Sequence, residues 1–166
     1  MRRGPLDQRP VEPRSDVLCY RSSVLATELE AIGPVQVVLY VSSDAPDTDF
    51  CAKLLDVYPD GRAMGLQDGI LRCRHRESFD RERLLEPGEV TEIQIDLPPI
   101  AHVFLPGHRI GLDVSSSNFP RFDRNLNTGL DNERTVEMRV AQQTVYHSGD
   151  RPSRLVLPVV PSAEGA

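Results

Sequence analysis

Three consecutive serines, Ser115, Ser116 and Ser117, four histidines and an acidic cluster at Asp44, Asp47, Asp49 and Asp56 are the side chains from which bond-breaking chemistry could be assembled. A serine nucleophile needs an activating imidazole and, in α/β hydrolases, a strained G-x-S-x-G turn between strand and helix. No such pentapeptide occurs, and the three serines lead into Asn118-Phe119-Pro120, a setting in which hydroxyls cap a strand end. His75, His102, His108 and His147 form neither H-x-H nor H-E-x-x-H, so no metal site is expected. The carboxylate spacing singles out no glycosidase pair. In SSDAPDTDF, Asp44, Asp47 and Thr48 are expected to accept hydrogen bonds from free backbone amides instead. Neither G-x-G-x-x-G nor a P-loop is present, and no cofactor is expected. Cys19, Cys51 and Cys73 are odd in number and set among apolar neighbours, which reads as free buried thiols rather than a disulfide framework.

The elements that would carry these side chains are strands. Alternation with period two puts successive side chains on opposite faces. In 90–97, Ile93, Ile95 and Leu97 share one face, while Glu92, Gln94 and Asp96 share the other. In 107–115, Ile110, Leu112 and Val114 face in, and Arg109, Asp113 and Ser115 face out. The run 35–41 is apolar on both faces, with Val35, Val37, Leu39 and Val41 opposite Val38 and Tyr40, so a second cover is expected for it. Further strands are predicted at 16–21, 49–58, 70–75, 135–140, 143–147 and 154–160, and short helical turns at 25–30 and 80–85. About eight to nine short strands with turn residues between them predict an all-β fold, an antiparallel β-sandwich of jelly-roll, galactose-binding-like kind. Residues 1–15 are expected to form a leading arm, 16–160 the sandwich domain and 161–166 a tail. The stretch 115–134, SSSNFPRFDRNLNTGLDNER, breaks the strand rhythm. Its Phe119 and Phe122 argue for packing, and its Arg121, Asp123, Arg124 and Asn125 for pairing among themselves or across an interface. An ordered loop is expected.

Composition excludes whole classes. The chain has 166 residues, 39% of them hydrophobic, and no apolar run approaches the roughly 20 residues of a membrane-spanning helix. The net charge is −6, with no basic and aromatic patch of the kind that binds nucleic acid. The opening MRRGPLDQRP has no apolar stretch after its arginines, which fits neither a signal peptide nor a transit helix and reads as cytoplasmic.

The wording of several segments adds what spacing does not. GPLDQRPVE (4–12), DVLCY (16–20), YVSSDAPDTDFCAKLLDVYPDGRA (40–63), DGILRCRHRES (68–78), HVFLPGHRI (102–110) and SSSNFPRFDRNLNTG (115–129) run in collinear order over nearly the whole chain. Together they resemble the C-terminal domain of the cocaine esterase and X-Pro dipeptidyl-peptidase-like serine hydrolases. The resemblance implies a jelly roll that packs on an α/β-hydrolase catalytic domain, in cis or in trans, whose Ser-His-Asp triad lies upstream of the matched region. No catalytic residue is carried onto this sequence, and the chain alone is expected to be inactive. The resemblance further implies that Leu39 and Tyr40 line part of the acyl pocket of the complete enzyme. This agrees with the second apolar face of 35–41, and the isolated domain, its partner missing, is expected to self-associate through that exposed face. The other reading of the residues is an autonomous module that binds a carbohydrate or another ligand. The absence of tryptophan weighs against it, because sugar platforms present flat rings.

Overall fold

A computed structural model describes residues 5–161, so residues 1–4 of the expected arm and all but the first residue of the expected tail lie outside it. Among the described residues eight strands follow one another: β1 (Leu18–Arg21), β2 (Leu29–Ser43), β3 (Asp49–Val57), β4 (Ala63–Arg72), β5 (Thr91–Phe104), β6 (Arg109–Ser115), β7 (Gln143–Tyr146) and β8 (Arg154–Val156). They form two antiparallel sheets, one ordered β1-β6-β3-β4 and one ordered β5-β2-β7 with β8 also on β2. The all-β sandwich expected from the alternation is present. No helix among the described residues is long and apolar enough to cross a membrane.

The alternating runs supply the inward faces. Val35, Val37, Leu39 and Val41 of β2 and Ile93, Ile95 and Leu97 of β5 meet Phe50, Ala52 and Leu54 of β3 and Leu112 and Val114 of β6 in one core cluster. At about 25 cal/mol per Å² of apolar surface, this burial is the main term favouring the fold. The sheets approach closely where β4 lies over β5. A Cβ at Gly69 would stand 2.7 Å from the Asp96 carbonyl oxygen, so only glycine fits there.

Several elements differ from the reading of the sequence. β2 begins at Leu29, so the helical turn expected at 25–30 gives way to a strand that pairs Leu29 with Phe104. The Ile32-Gly33-Pro34 punctuation that hid this strand is absorbed by a bulge. Gly33 takes a φ of 134°, and the β2–β5 register shifts between Gly33 and Val35, so Pro34, with no N–H to give, falls outside the paired positions. β4 runs 63–72 rather than 70–75, and Cys73–His75 is a single 3₁₀ turn. Its MGLQDG sequence has no alternation to read. Segments 80–85 and 135–140 are neither helix nor strand. The second of these alternates as a strand would, but Val136, Met138 and Val140 point to solvent, 92%, 67% and 79% exposed.

The expected bare face of β2 is not bare. Val38 is 5% exposed and Tyr40 is half-buried. β3 is the strand closed on both sides, with Cys51 and Leu55 as buried as Phe50 and Leu54. Part of its outer cover is the leading arm, whose Gln8 side chain accepts from Lys53 of β3 at 3.1 Å and whose Asp7 forms a β-bridge with Met64 on the outer edge of β4. Asp113 faces away from the core as expected, yet it is buried, because Arg21 reaches over to it at 3.0 Å while also holding Glu12 of the arm at 2.5 Å.

Candidate functional site

The long loop after β6 is ordered by two buried carboxylates. Asp47 and Asp49 flank Thr48 at the entrance to β3, and both side chains are almost completely enclosed. Asp47 accepts hydrogen bonds from the Arg74 backbone N–H at 2.9 Å and from Arg74 Nε at 2.8 Å. Asp49 is held in a fork by Arg72 at 3.0 and 3.1 Å. The Asn125 side-chain amide donates to both, at 2.8 Å to each. Arg72 also pairs with Asp123, which in turn accepts from Asn132 at 3.0 Å. Burial pushes the Asp49 carboxyl above its ordinary range, against the opposing pull of Arg72 and Asn125.

Thus Asp47 serves a backbone amide as expected, and Asp44 does the same for Gln142 N at 2.8 Å. Thr48 instead accepts the Gln143 side-chain amide. Of the loop residues picked out in the sequence, Asp123 and Asn125 belong to this network. Arg121 and Asn118 both pair with Asp68 on β4. Phe119 is 63% exposed, with the Arg124 guanidinium 5.3 Å from its ring centre, and Phe122 lies under Arg121 in the same manner at 5.4 Å. The Phe119–Pro120 peptide is cis.

Leu39 and Tyr40 are not brought to one wall. As neighbours on a strand they point to opposite faces. Leu39 lies in the core at the floor of a cleft of about 530 Å³ between the sheets, which Tyr20 and His147 also line. Tyr40 lies on the outer face, where a hydrogen bond with Glu92 and partial burial raise its phenol above the ordinary value.

A cluster the sequence did not disclose joins three separate segments. The buried Asp56 carboxylate of β3 bonds to His102 Nε2 at 3.1 Å and to His108 Nδ1 at 2.8 Å, and the Tyr58 ring lies 4.4 Å from that of His108. Nothing in local spacing joins these residues, which the β3–β6 pairing, the turn before β6 and the packing of β5 against β3 bring together. His147 bonds to the Tyr20 hydroxyl at 3.1 Å, whereas His75 lies 3.8 Å from Glu82, beyond hydrogen-bond range, with its Nδ1 buried and without a partner among the described residues. Among the described residues no serine hydroxyl bonds to an imidazole, and no group of three or more histidine, cysteine or acidic side chains is arranged to hold a metal ion. The thiols are poor nucleophiles: burial, as the largest cause, raises Cys51 to about 12 and the exposed Cys19 to about 11, and raises Cys73 as well. Cys19 thus corrects the expectation that all three are buried.

The sandwich that carries this ordered loop matches a described family. Residues 4–156 match the X-Pro dipeptidyl-peptidase C-terminal non-catalytic domain. The chain belongs to that family. It is 51% identical over 159 residues to the cocaine esterase of a Rhodococcus strain, an alignment that covers 95% of this chain and 28% of the esterase. Among solved structures, an aminopeptidase from a marine sediment Thaumarchaeota archaeon superposes with a TM-score of 0.89 at 34% identity, over 93% of this chain and 27% of the other. An α-amino acid ester hydrolase gives 0.88 at 36%, over 93% and 27%. The X-Pro dipeptidyl-peptidase C-terminal domain is therefore a bit over a quarter of each of these relatives. In this chain it holds the Asp47–Asn125–Asp49 bridge at the core of its longest loop.

Proposed function

We propose that this chain is the non-catalytic module of an ester- or peptide-bond hydrolase and works by packing against an α/β-hydrolase domain that carries the serine, histidine and aspartate of the reaction. The observation that carries the reading is the disparity of coverage: nearly all of this chain aligns with the Rhodococcus esterase, yet it accounts for 28% of that enzyme. The lack of any serine–imidazole hydrogen bond among the described residues supports it, since a general base must reach the proton it takes, and Ser115 Oγ instead donates to the Ser117 carbonyl at 3.2 Å while Ser117 Oγ accepts from Phe119 N at 3.3 Å. The module's contribution is then positional: a rigid sandwich that completes the fold of its neighbour and excludes water from one side of the shared boundary.

The test is hydrolysis of 4-nitrophenyl butyrate by the purified chain, with a fluorophosphonate as a covalent reporter of activated serine. The expected result is a rate equal to buffer and no label. Turnover that the fluorophosphonate abolishes, with label on one of the three consecutive serines, would overturn the reading.

A further inference from the structure

The module reading makes no use of the cleft between the sheets. We propose that this cleft, independently of any catalytic partner, is a small-molecule site for an aliphatic carboxylate, whose hydrocarbon chain lies along the leucines of the walls and whose head group bonds to the Tyr20–His147 pair.

The strand pairings set its two banks. β1 and β6 form one, and because Tyr20 stands opposite Leu112, a core position, the Tyr20 ring turns inward as well. β2, β8 and the chain as far as Val159, which bridges to Ala31, form the other, with Leu155 opposite the core residue Val37. Among the described residues β1 pairs only with β6 and β8 only with β2, so the sandwich stays open along this side. The space enclosed is about 530 Å³ and is lined by Leu29, Leu39, Ile110, Leu112, Leu155 and Leu157. Small-molecule sites typically measure about 300–1,000 Å³, with mostly apolar walls and a few convergent polar groups that fix orientation. None of the described lining residues is acidic, although the chain carries 25 acidic side chains.

The polar groups along the cleft are already committed, with one exception. Ser22 Oγ accepts from Ile110 N at 3.0 Å and donates to the Ser23 carbonyl at 2.7 Å. Ser153 Oγ accepts from Tyr40 N at 2.9 Å. Arg21 is held by Glu12 and Asp113, and Arg154, opposite Val38, turns its side chain to the outer face. The exception is the pair formed by the half-buried Tyr20 and the exposed His147, whose hydroxyl and Nε2 lie 3.1 Å apart with the rings edge to face. With a neutral imidazole the pair carries two polar hydrogens, and one of them is spent between the two groups. If Nε2 donates, the phenol O–H is left to give; if the phenol donates, the imidazole Nδ1–H is left. In both tautomers one donor remains, so the group recognised there is an acceptor. Burial raises the Tyr20 phenol above its ordinary value, which keeps its hydrogen in place. A carboxylate accepts more strongly than a neutral carbonyl, and no acidic residue of the lining repels it.

The test titrates the purified chain with hexanoate, octanoate and decanoate, read by calorimetry and by methyl NMR. The expected result is saturable binding that tightens about fourfold with each added methylene, with methyl shifts at Leu29, Leu112, Leu155 and Leu157. Octylammonium, the same chain with a head that only donates, is expected to bind about tenfold more weakly than octanoate, the lower end for one hydrogen bond to a charged group. The double variant Tyr20→Phe with His147→Leu is expected to weaken octanoate by about the same factor. Val136→Asp, at a solvent-facing side chain outside the cleft, is expected to leave octanoate binding unchanged. No saturable binding of decanoate, an affinity that does not rise with chain length, or shifts at Met138 and Val140 in place of the cleft leucines overturns the site. Octylammonium binding as tightly as octanoate, or full octanoate affinity in the double variant, overturns the assignment of the head group.

Discussion

Replacing Asn125 with leucine removes the amide that spans Asp47 and Asp49 while keeping nearly the same volume. Two hydrogen bonds to charged acceptors are lost, each 2.8 Å long, together with the turn in which Asn125 Oδ1 accepts from Asn127 N at 2.9 Å. Hydrogen bonds to charged groups contribute about 1.5–3 kcal/mol apiece. The lower end applies here, because Asp47 keeps Arg74 and Asp49 keeps Arg72, so neither carboxylate is orphaned. The expected loss is about 3 kcal/mol, which for a domain of this size lowers the melting temperature by about 6–12 °C. Urea denaturation followed by circular dichroism should show the midpoint falling with an unchanged slope, as for a change of stability alone. Detachment of the loop ahead of global unfolding would show instead as faster proteolysis between residues 116 and 134. A midpoint shift equivalent to less than about 1 kcal/mol, with proteolysis unchanged, would refute the view that this bridge holds the loop.

Asp56→Ala is expected to cost about 3 kcal/mol, since two imidazoles lose a shared buried acceptor at roughly 1.5 kcal/mol each; urea midpoints check this, and a neutral result would mean the cluster is incidental. Gly69→Ala should destabilise by about 1–3 kcal/mol by forcing β4 away from the Asp96 carbonyl, whereas Gly88→Ala meets no atom and should lose only what its positive φ costs. Acid should loosen the titrating tie between the leading arm and β4, the Asp7 carboxylate that accepts from Ala63 N. The Arg9 side chain, with the backbone amides of Arg9 and Ala63, lowers the Asp7 carboxyl to about 2 from 3.8. Its contribution is therefore present above about pH 4 and disappears as pH falls through about 2, to be followed as exchange of the Gln8 amide; Asp7→Ala should abolish the transition.

The legible parts of this fold were those in which one strand face is buried and the other is wet. β5 and β6 announced themselves by alternation, and the inward set Ile93, Ile95 and Leu97 is the set the core uses. The full extent of β4 is not legible because Gly69 serves the close approach of β5 and Gly65 that of the leading arm, properties of the neighbours rather than of local sequence. The segment 135–140 shows the converse: a perfect period whose apolar side faces solvent, so alternation alone did not reveal which way it turns. Asn125 and Asp123 could be picked out because polar residues clustered in an unusually long loop need partners. The Asp56, His102 and His108 cluster could not, since its members lie on β3, β5 and the turn before β6 and meet only after the sheets have paired.

The bridge between Asp7 and Met64 closes a strand edge that would otherwise present unpaired amides and carbonyls to any passing chain. A version of the protein shortened past Gln8 would uncover that rim beside the hairpin, and strand-to-strand growth from one copy to the next is the failure such an uncovered rim invites. The few residues ahead of β1 thus act as a guard against polymerisation.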